Sequence, residues 1–190
     1  MNEARAPAPG ELAPVPTLVI TGPVGVGKSS VAVAVGEILD EAGLSHALVD
    51  LDWLRWCTPR PPDDPFHIAL GLRNLAAVWA NYRAAGAARL ILVDVVEARA
   101  DLEGYRTAVP GAAILVVRLR ATLPTILRRL EGRETGAALE WHRRRAAVLV
   151  PQMDRDRVED LLVDAEGRTP AEIAREIVDR TGFTGRRAAP

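Results

Sequence analysis

Residues 22–29 read Gly22-Pro23-Val24-Gly25-Val26-Gly27-Lys28-Ser29 and fit the pattern G-x-x-x-x-G-K-[ST]. The apolar residues 17–21 before them are typical of a short buried strand, and residues 29–39 after them are typical of a helix. A strand, a glycine-rich turn and a helix in this order are the context that a phosphate-binding P-loop requires. A chance glycine-rich turn is the alternative, and the flanking elements argue against it.

The residue types of this segment suit the phosphates of a nucleotide. Glycines let the backbone curl so that consecutive N–H groups point inward, and the following helix adds the positive end of its dipole. Lys28 is a mobile charge that can reach the β- and γ-phosphates, and the Ser29 hydroxyl can ligate Mg²⁺. We therefore predict that the residues from Gly22 to Ser30 hold the phosphates.

Length and composition indicate one globular domain. The chain has 190 residues, of which 48% are hydrophobic and 26% charged. A net charge of −1 gives no general attraction to nucleic acid or to an anionic membrane. Cys57 is the single cysteine, which suits a reducing compartment, and no apolar run has the length of a membrane span. The first residues also lack the apolar core of a signal peptide, so we expect a cytoplasmic protein, and a monomer and a homodimer are both open.

Apolar runs alternate with helical patterns along the chain. Proline-rich residues 1–16 are interpreted as a flexible leader, residues 17–182 as the domain and residues 183–190 as a flexible tail. Strands are predicted at residues 17–21, 46–50, 89–94, 113–119 and 159–163, and helices at residues 29–39, 64–85, 98–109, 123–130, 139–150 and 170–180. This alternation predicts a parallel sheet with helices on both faces and a nucleotide at the carboxyl ends of its strands.

Acidic residues follow the second predicted strand, in Val49-Asp50-Leu51-Asp52-Trp53-Leu54-Arg55. An acid there can accept the proton of an acceptor hydroxyl or hold Mg²⁺ through water. We predict that Asp52 is the base and that Asp50 serves the metal, both facing the acceptor on one strand face if the strand continues through Leu51. Arg55 is predicted to clamp the acceptor and Trp56 to supply an aromatic wall. The alternative is a helix-capping aspartate and a solvated arginine.

Further charged residues fall near the other strand ends. Asp94 ends the third predicted strand, where a Walker-B aspartate contacts Mg²⁺ through water, although a turn-forming aspartate is an equal alternative. Arg129 and Arg133 flank the start of the polar stretch 131–136 and can neutralise charge in the transition state. In the run of three arginines at 143–145, we expect a solvated face with one side chain turned inward.

With these residues identified, the chain resembles the small P-loop kinases of the adenylate-kinase-like group, over residues 17–180. That group includes adenylylsulfate, shikimate and gluconate kinases and chloramphenicol phosphotransferase. Residues 49–55 are similar to the L-D-G-D-x-x-R of adenylylsulfate kinases, with Leu51 in place of the glycine. Residues 129–133 resemble the R-x-x-x-R that opens the lid of these kinases. Residues 164–170 resemble their adenine-lining loop, which adds Arg168 to the nucleotide site.

The resemblance implies an α/β fold, the P-loop NTPase three-layer sandwich, with a five-stranded parallel sheet in the order 2-3-1-4-5 and a short lid. It implies ATP and Mg²⁺, with transfer of the γ-phosphate to a hydroxyl of a small molecule: a nucleoside, a sulfonucleotide, a sugar acid or an antibiotic. Lys28, Arg129 and Arg133 would stabilise the transferring group, and Arg129 would also contact the nucleotide. A nucleotide-binding regulatory or adaptor protein with weak ATPase activity is the alternative, and it would not need the set of Asp50, Asp52 and Arg55.

Overall fold

The computed structural model describes residues 13–185 and shows within them one sheet of five parallel strands. The strands are β1 (Val15–Thr21), β2 (Ala47–Asp50), β3 (Leu90–Val93), β4 (Ala112–Arg120) and β5 (Leu161–Asp164). Their order across the sheet is β2-β3-β1-β4-β5, which confirms the predicted order.

Helices cover both faces of the sheet. They are α1 (Lys28–Glu41), α2 (Leu51–Leu54), α3 (Ile68–Ala84), α4 (Leu102–Ala108), α5 (Leu123–Glu131), α6 (Gly136–Asp156) and α7 (Pro170–Thr181), with a 3₁₀ turn at Arg99–Asp101. Successive side chains of a strand point to opposite faces, so Leu18 and Ile20 of β1 join the core cluster that includes residues of α1, α5 and α7. Val19 joins the opposite cluster, with residues of α3 and α4.

The register brings polar residues to one edge of the sheet. Ile20 of β1 pairs with Val93 of β3, and Val93 also pairs with Asp50 of β2. Asp50 and Asp94 therefore leave their strands beside the glycine-rich turn that follows β1. This is the carboxyl edge, where ligands bind in open parallel sheets.

The short helix α2 directly follows β2, and it corrects the expected placement of two aspartates. Strand β2 ends at Asp50, and Leu51 is fully buried in the first turn of α2. The Asp50 carboxylate caps this helix by accepting a hydrogen bond from the backbone N–H of Asp52 at 3.1 Å. A shared strand face required the strand to continue through Leu51, and this expectation was wrong, because the Asp50 side chain caps a helix there, as the alternative interpretation had it.

Other helix boundaries also differ from the predictions, and α3 and α6 show why. Helix α3 begins at Ile68 rather than residue 64, because the Asp64 carboxylate accepts from the backbone N–H groups of Ile68 and Ala69 at 2.7 and 3.0 Å. Helix α6 continues past Pro151 to Asp156. A proline inside a helix removes one hydrogen bond, and burial of Leu149 and Met153 on either side offsets that loss.

The predicted leader and tail lie partly outside the described residues, which begin at residue 13 and end at residue 185. Val15 and Pro16, assigned to the leader, belong to β1. Phe183, assigned to the tail, is buried against the core cluster of α1 and α7. Within residues 13–185, no helix combines the length and the apolar character needed to cross a bilayer.

Candidate active site

The turn between β1 and α1 has the backbone shape of a phosphate-binding loop. Gly22 and Gly25 have φ angles of +142° and +83°, a region that side chains disfavour. A Cβ at Gly22 would lie 2.6 Å from the carbonyl oxygen of Leu119, and one at Gly25 would lie 2.8 Å from Cγ of Leu130. The sheet and α5 thus pack so closely on the turn that only glycine fits these positions.

Lys28 is buried at the start of α1 and reaches back over this loop. Its Nζ donates hydrogen bonds to the carbonyl oxygens of Gly22 at 3.0 Å and Pro23 at 3.4 Å. Burial lowers the pKa of Lys28, and the positive charge of Arg133 lowers it further. The negative charges of Asp52, Asp94 and Asp50 oppose this shift, and the effect of Asp52 is the largest of the three. The structure therefore brings the predicted lysine, its three aspartates and the lid arginine to one place.

Ser29 and Asp50 form a pair of oxygen groups beside Lys28. The Ser29 hydroxyl donates to Asp50 Oδ2 at 2.7 Å. Hydroxyl and carboxylate oxygens are suitable ligands for Mg²⁺. In kinases, Mg²⁺ is bound by one or two protein oxygens together with substrate phosphates and water. Residues 13–185 contain no group of three or more His, Cys, Asp or Glu side chains that could form an all-protein metal site. The pair suits a magnesium ion that arrives with a nucleotide.

Asp94 is held in a buried cluster that sequence reasoning did not anticipate. Its Oδ2 accepts hydrogen bonds from Arg55 and from the phenol of Tyr105, and its Oδ1 accepts from the Val95 N–H at 2.7 Å. Burial and the Asp94 charge both raise the pKa of Tyr105. Burial lowers the pKa of Arg55, but the charge and hydrogen bond of Asp94 outweigh it, so the pKa is raised. Arg55 and Tyr105 therefore both keep the protons with which they hydrogen-bond to Asp94.

The position of Arg55 differs in detail from the predicted clamp on an acceptor. Its guanidinium bonds to Asp94, and its stem lies against Gly71 of α3, where an added Cβ would be 2.7 Å from Arg55 Cγ. Tyr105 lies in α4 without any motif around it, so no sequence signal pointed to its contact with Asp94.

Arg129 and Arg168 both contact the loop that follows β5. Arg129 donates to the carbonyl oxygens of Val26 in the P-loop at 2.7 Å and of Ala165 at 2.9 Å, so it joins the two loops predicted to hold the nucleotide. Arg168 donates to the Asp164 and Glu172 carbonyl oxygens at 2.9 and 3.1 Å and pairs with Glu176 at 2.6 Å. These bonds fix the loop to α7.

The segment between α5 and α6, residues 132–135, lies in the stretch that was predicted to form a short lid. Its Arg133 is 61% exposed in the side chain, and Nε donates to Glu134 Oε1 at 3.0 Å. His142 of α6 bonds to the other oxygen of Glu134. Burial tends to raise the pKa of Glu134, but the hydrogen bonds from Arg133 and His142 lower it overall. This segment is therefore tied to α6 through one carboxylate.

Aromatic and charged residues meet where α6 contacts the segments that precede α3 and follow β3. Arg145 of α6 is the arginine of its run that turns inward: it pairs with Glu97, and its guanidinium carbon lies 5.7 Å from the ring centre of Phe66. The Phe66 ring lies 6.4 Å from that of Trp141. Trp56, predicted as an aromatic wall, is 76% exposed and stacks on Trp53 at 5.3 Å.

No protein-family profile matches the chain, and no curated protein matches it in sequence. Solved structures do match. A tunicamycin resistance protein from Deinococcus radiodurans has a TM-score of 0.62 and 22% identity, with 93% of this chain and 99% of that chain covered. The APS kinase of Mycobacterium tuberculosis, in complex with AMPPNP and APS, has a TM-score of 0.58 and 25% identity, with 88% and 97% covered. A gluconokinase from Sinorhizobium meliloti 1021 has a TM-score of 0.57 and 21% identity, with 92% and 94% covered.

The chain has the P-loop kinase fold. The carboxyl ends of β1, β2 and β3 lie at one edge of the sheet, where Lys28, Asp50 and Asp94 are found. The predicted three-layer architecture and sheet order are therefore confirmed. The roles assigned to individual side chains stay predictions.

Proposed function

We propose that the protein is an ATP-dependent phosphotransferase that moves the γ-phosphate of ATP to a hydroxyl of a small molecule. Solved structures with the same fold include proteins named gluconokinase and APS kinase, which supports a kinase. The observation that carries the proposal is the position of Asp52. Asp52 is exposed, and it has no ion-pair partner within residues 13–185. Of the three nearby aspartates, it has the largest effect on the pKa of the P-loop lysine.

The nucleotide side of the proposed reaction uses the residues from Gly22 to Ser30. Their backbone N–H groups and Lys28 suit the β- and γ-phosphates of ATP, and Arg129 joins this loop to the residues after β5. Ser29 and Asp50 would hold Mg²⁺, which would supply positive charge to offset the negative charge on the transferring phosphate.

The transfer itself needs a base and charge stabilisation. We assign the base to Asp52, whose carboxylate takes the proton of the acceptor hydroxyl as that oxygen bonds to the γ-phosphorus. The bond between the γ-phosphorus and the β–γ bridging oxygen breaks, which leaves ADP. Lys28 and Arg133 lie near each other and near Asp52, and they would stabilise the charge that develops on the phosphoryl oxygens.

The sequence offers an unusually direct test of nucleotide binding, because Lys28 is its only lysine. Amine acetylation followed by mass spectrometry should therefore report on the P-loop and the chain terminus alone. Mg²⁺–ATP should protect Lys28 and leave the α-amino group reactive. GTP should protect it less, because the Asn-Lys-x-Asp guanine motif is absent from the sequence. Unchanged labelling of Lys28 at saturating ATP, together with a melting temperature that Mg²⁺–ATP does not raise, would contradict the nucleotide site.

The second test is ADP formation with a library of hydroxyl compounds. Acceptor-dependent ADP formation that needs Mg²⁺ and disappears in Asp52→Asn supports the phosphotransferase. Protection of Lys28 by ATP with no acceptor-dependent turnover would instead favour the regulatory or adaptor protein with weak ATPase activity.

A further inference from the structure

The acceptor side of the site consists of three segments: residues 51–67 after β2, residues 94–98 after β3, and residues 136–145 of α6. They converge through Arg145, which pairs with Glu97 and lies over Phe66. Glu97 is three residues from Asp94, so this junction adjoins the buried cluster beside the P-loop. The charges and surfaces of these segments bear on the acceptor that they would bind.

Arginines on the two sides of the site have different partners. On the nucleotide side, Arg129 bonds to backbone carbonyl oxygens, and within residues 13–185 neither it nor Lys28 has a carboxylate oxygen within 4.0 Å of its nitrogens. On the acceptor side, Arg55 pairs with Asp94 and Arg145 pairs with Glu97. On the acceptor side the arginines that lack a carboxylate partner within residues 13–185, Arg60 and Arg144, are both exposed, whereas Lys28 is buried where the triphosphate is expected.

An anionic acceptor would have to compete with these carboxylates. The Arg55 and Asp94 side chains are only 12% and 2% exposed. Removing one partner from a buried ion pair leaves the other charge uncompensated, which is strongly unfavourable. Arg60 lies in the same segment as Phe66, but it is exposed and donates to the Pro65 carbonyl oxygen at 3.5 Å. No buried cation within the described part of this side is left without a carboxylate.

Besides the exposed Arg60 and Arg144, the surface that remains carries aromatic and acidic groups. Phe66 and Trp141 are 44% and 48% exposed although they contact each other, so they present aromatic surface to solvent. Asp52 is exposed with no ion pair within residues 13–185. An unpaired carboxylate can accept a hydrogen bond from a hydroxyl or pair with a cation, and it repels an anion.

We infer that the acceptor is an uncharged or cationic hydroxyl compound with an aromatic or aliphatic body, and not a sugar acid or sulfonucleotide. Phe66 and Trp141 cover its apolar body, and Asp52 accepts from its hydroxyl. This inference rests on the proposed phosphotransferase function and narrows its substrate class.

The test measures binding and does not depend on turnover. Protein saturated with Mg²⁺–AMPPNP is titrated with chloramphenicol, uridine and kanamycin as uncharged and cationic probes, and with gluconate, shikimate and adenylylsulfate as anionic probes. Melting temperature and tryptophan fluorescence report binding. At least one uncharged or cationic probe should bind tenfold or more tighter than every anion, about 1.4 kcal/mol or more.

Two variants test the physical cause. Glu97→Gln releases Arg145 from its carboxylate and should improve the binding of anionic probes, while Glu140→Gln, at an exposed pair with Arg143, should not. Phe66→Ala should weaken the binding of the preferred probe. Anions that bind wild type as tightly as the other probes, or a panel without any preference, would overturn the inference. Selective binding without phosphorylation of the probe would support the inferred ligand class and contradict the proposed phosphotransferase function.

Discussion

The ion pair of Arg55 with Asp94 should be among the most sensitive points of the fold. The Arg55→Met change keeps a long apolar stem against Gly71 but removes the guanidinium from Asp94. Asp94 is 2% exposed and would retain Tyr105 and the Val95 N–H as partners. Its negative charge would then be buried without a cation.

The size of the effect follows from this burial. Breaking a buried pair by removing one partner costs about 3–5 kcal/mol. For a chain of this length each kcal/mol lowers the melting temperature by about 2–4 °C, so the expected loss is about 6–20 °C. Urea unfolding followed by circular dichroism measures the free energy directly, and an unchanged slope against urea would show that the unfolded state is not altered.

The control is Arg106→Met in α4, whose pair with Glu103 has side chains that are 48% and 76% exposed. An exposed pair of this kind contributes about 0–1 kcal/mol. Equal losses in Arg55→Met and Arg106→Met would refute the argument that Asp94 is an uncompensated buried charge without Arg55. Recovery of stability in the double variant Arg55→Met with Asp94→Asn would support it.

Four further predictions concern the site. Asp52→Asn should lower kcat by about 10²-fold or more while Lys28 stays protected by ATP, which steady-state kinetics and labelling can check. Asp50→Asn should raise the Mg²⁺ concentration needed for half-maximal turnover, and an unchanged requirement would remove it from the metal site. Arg133→Ala should lower kcat more than it weakens ATP binding, because a group that acts in the transition state affects turnover. Glu134→Gln should destabilise the protein above pH 4.5, the ordinary pKa of a glutamate, and the difference from wild type should vanish as pH falls below the lowered pKa of Glu134, as melting scans across pH can show.

The fold was predictable because several local signals agree. The P-loop pattern marks the end of β1, and the remaining strands are short apolar runs that only a sheet covered on both faces can bury. The strand order came from the resemblance, since alternation alone does not specify how parallel strands are ordered. Element ends were less predictable where side chains cap the backbone, as Asp50 and Asp64 do.

The positions of site residues were predictable where a residue belongs to a motif or directly ends a strand. Lys28 and Ser29 belong to one motif, and Asp50 directly ends β2, so spacing places them. Tyr105 reaches Asp94 from a separate helix, and Arg145 reaches Glu97 from 48 residues away, so both contacts depend on how helices pack. Such contacts leave no periodic or motif signal in a single sequence.

The three aspartates beside Lys28 are distinguished by what already occupies their oxygens. Asp94 has partners on both oxygens, two of them cationic or phenolic donors that stay protonated, so it is the least free to change partners. Asp50 caps α2 with one oxygen and accepts from Ser29 with the other, a contact that an ion arriving with the phosphates can replace. Asp52 has no ion pair within residues 13–185 and is exposed. A base must be free to accept a proton at hydrogen-bond distance, and of the three only Asp52 meets that condition without first losing a bond.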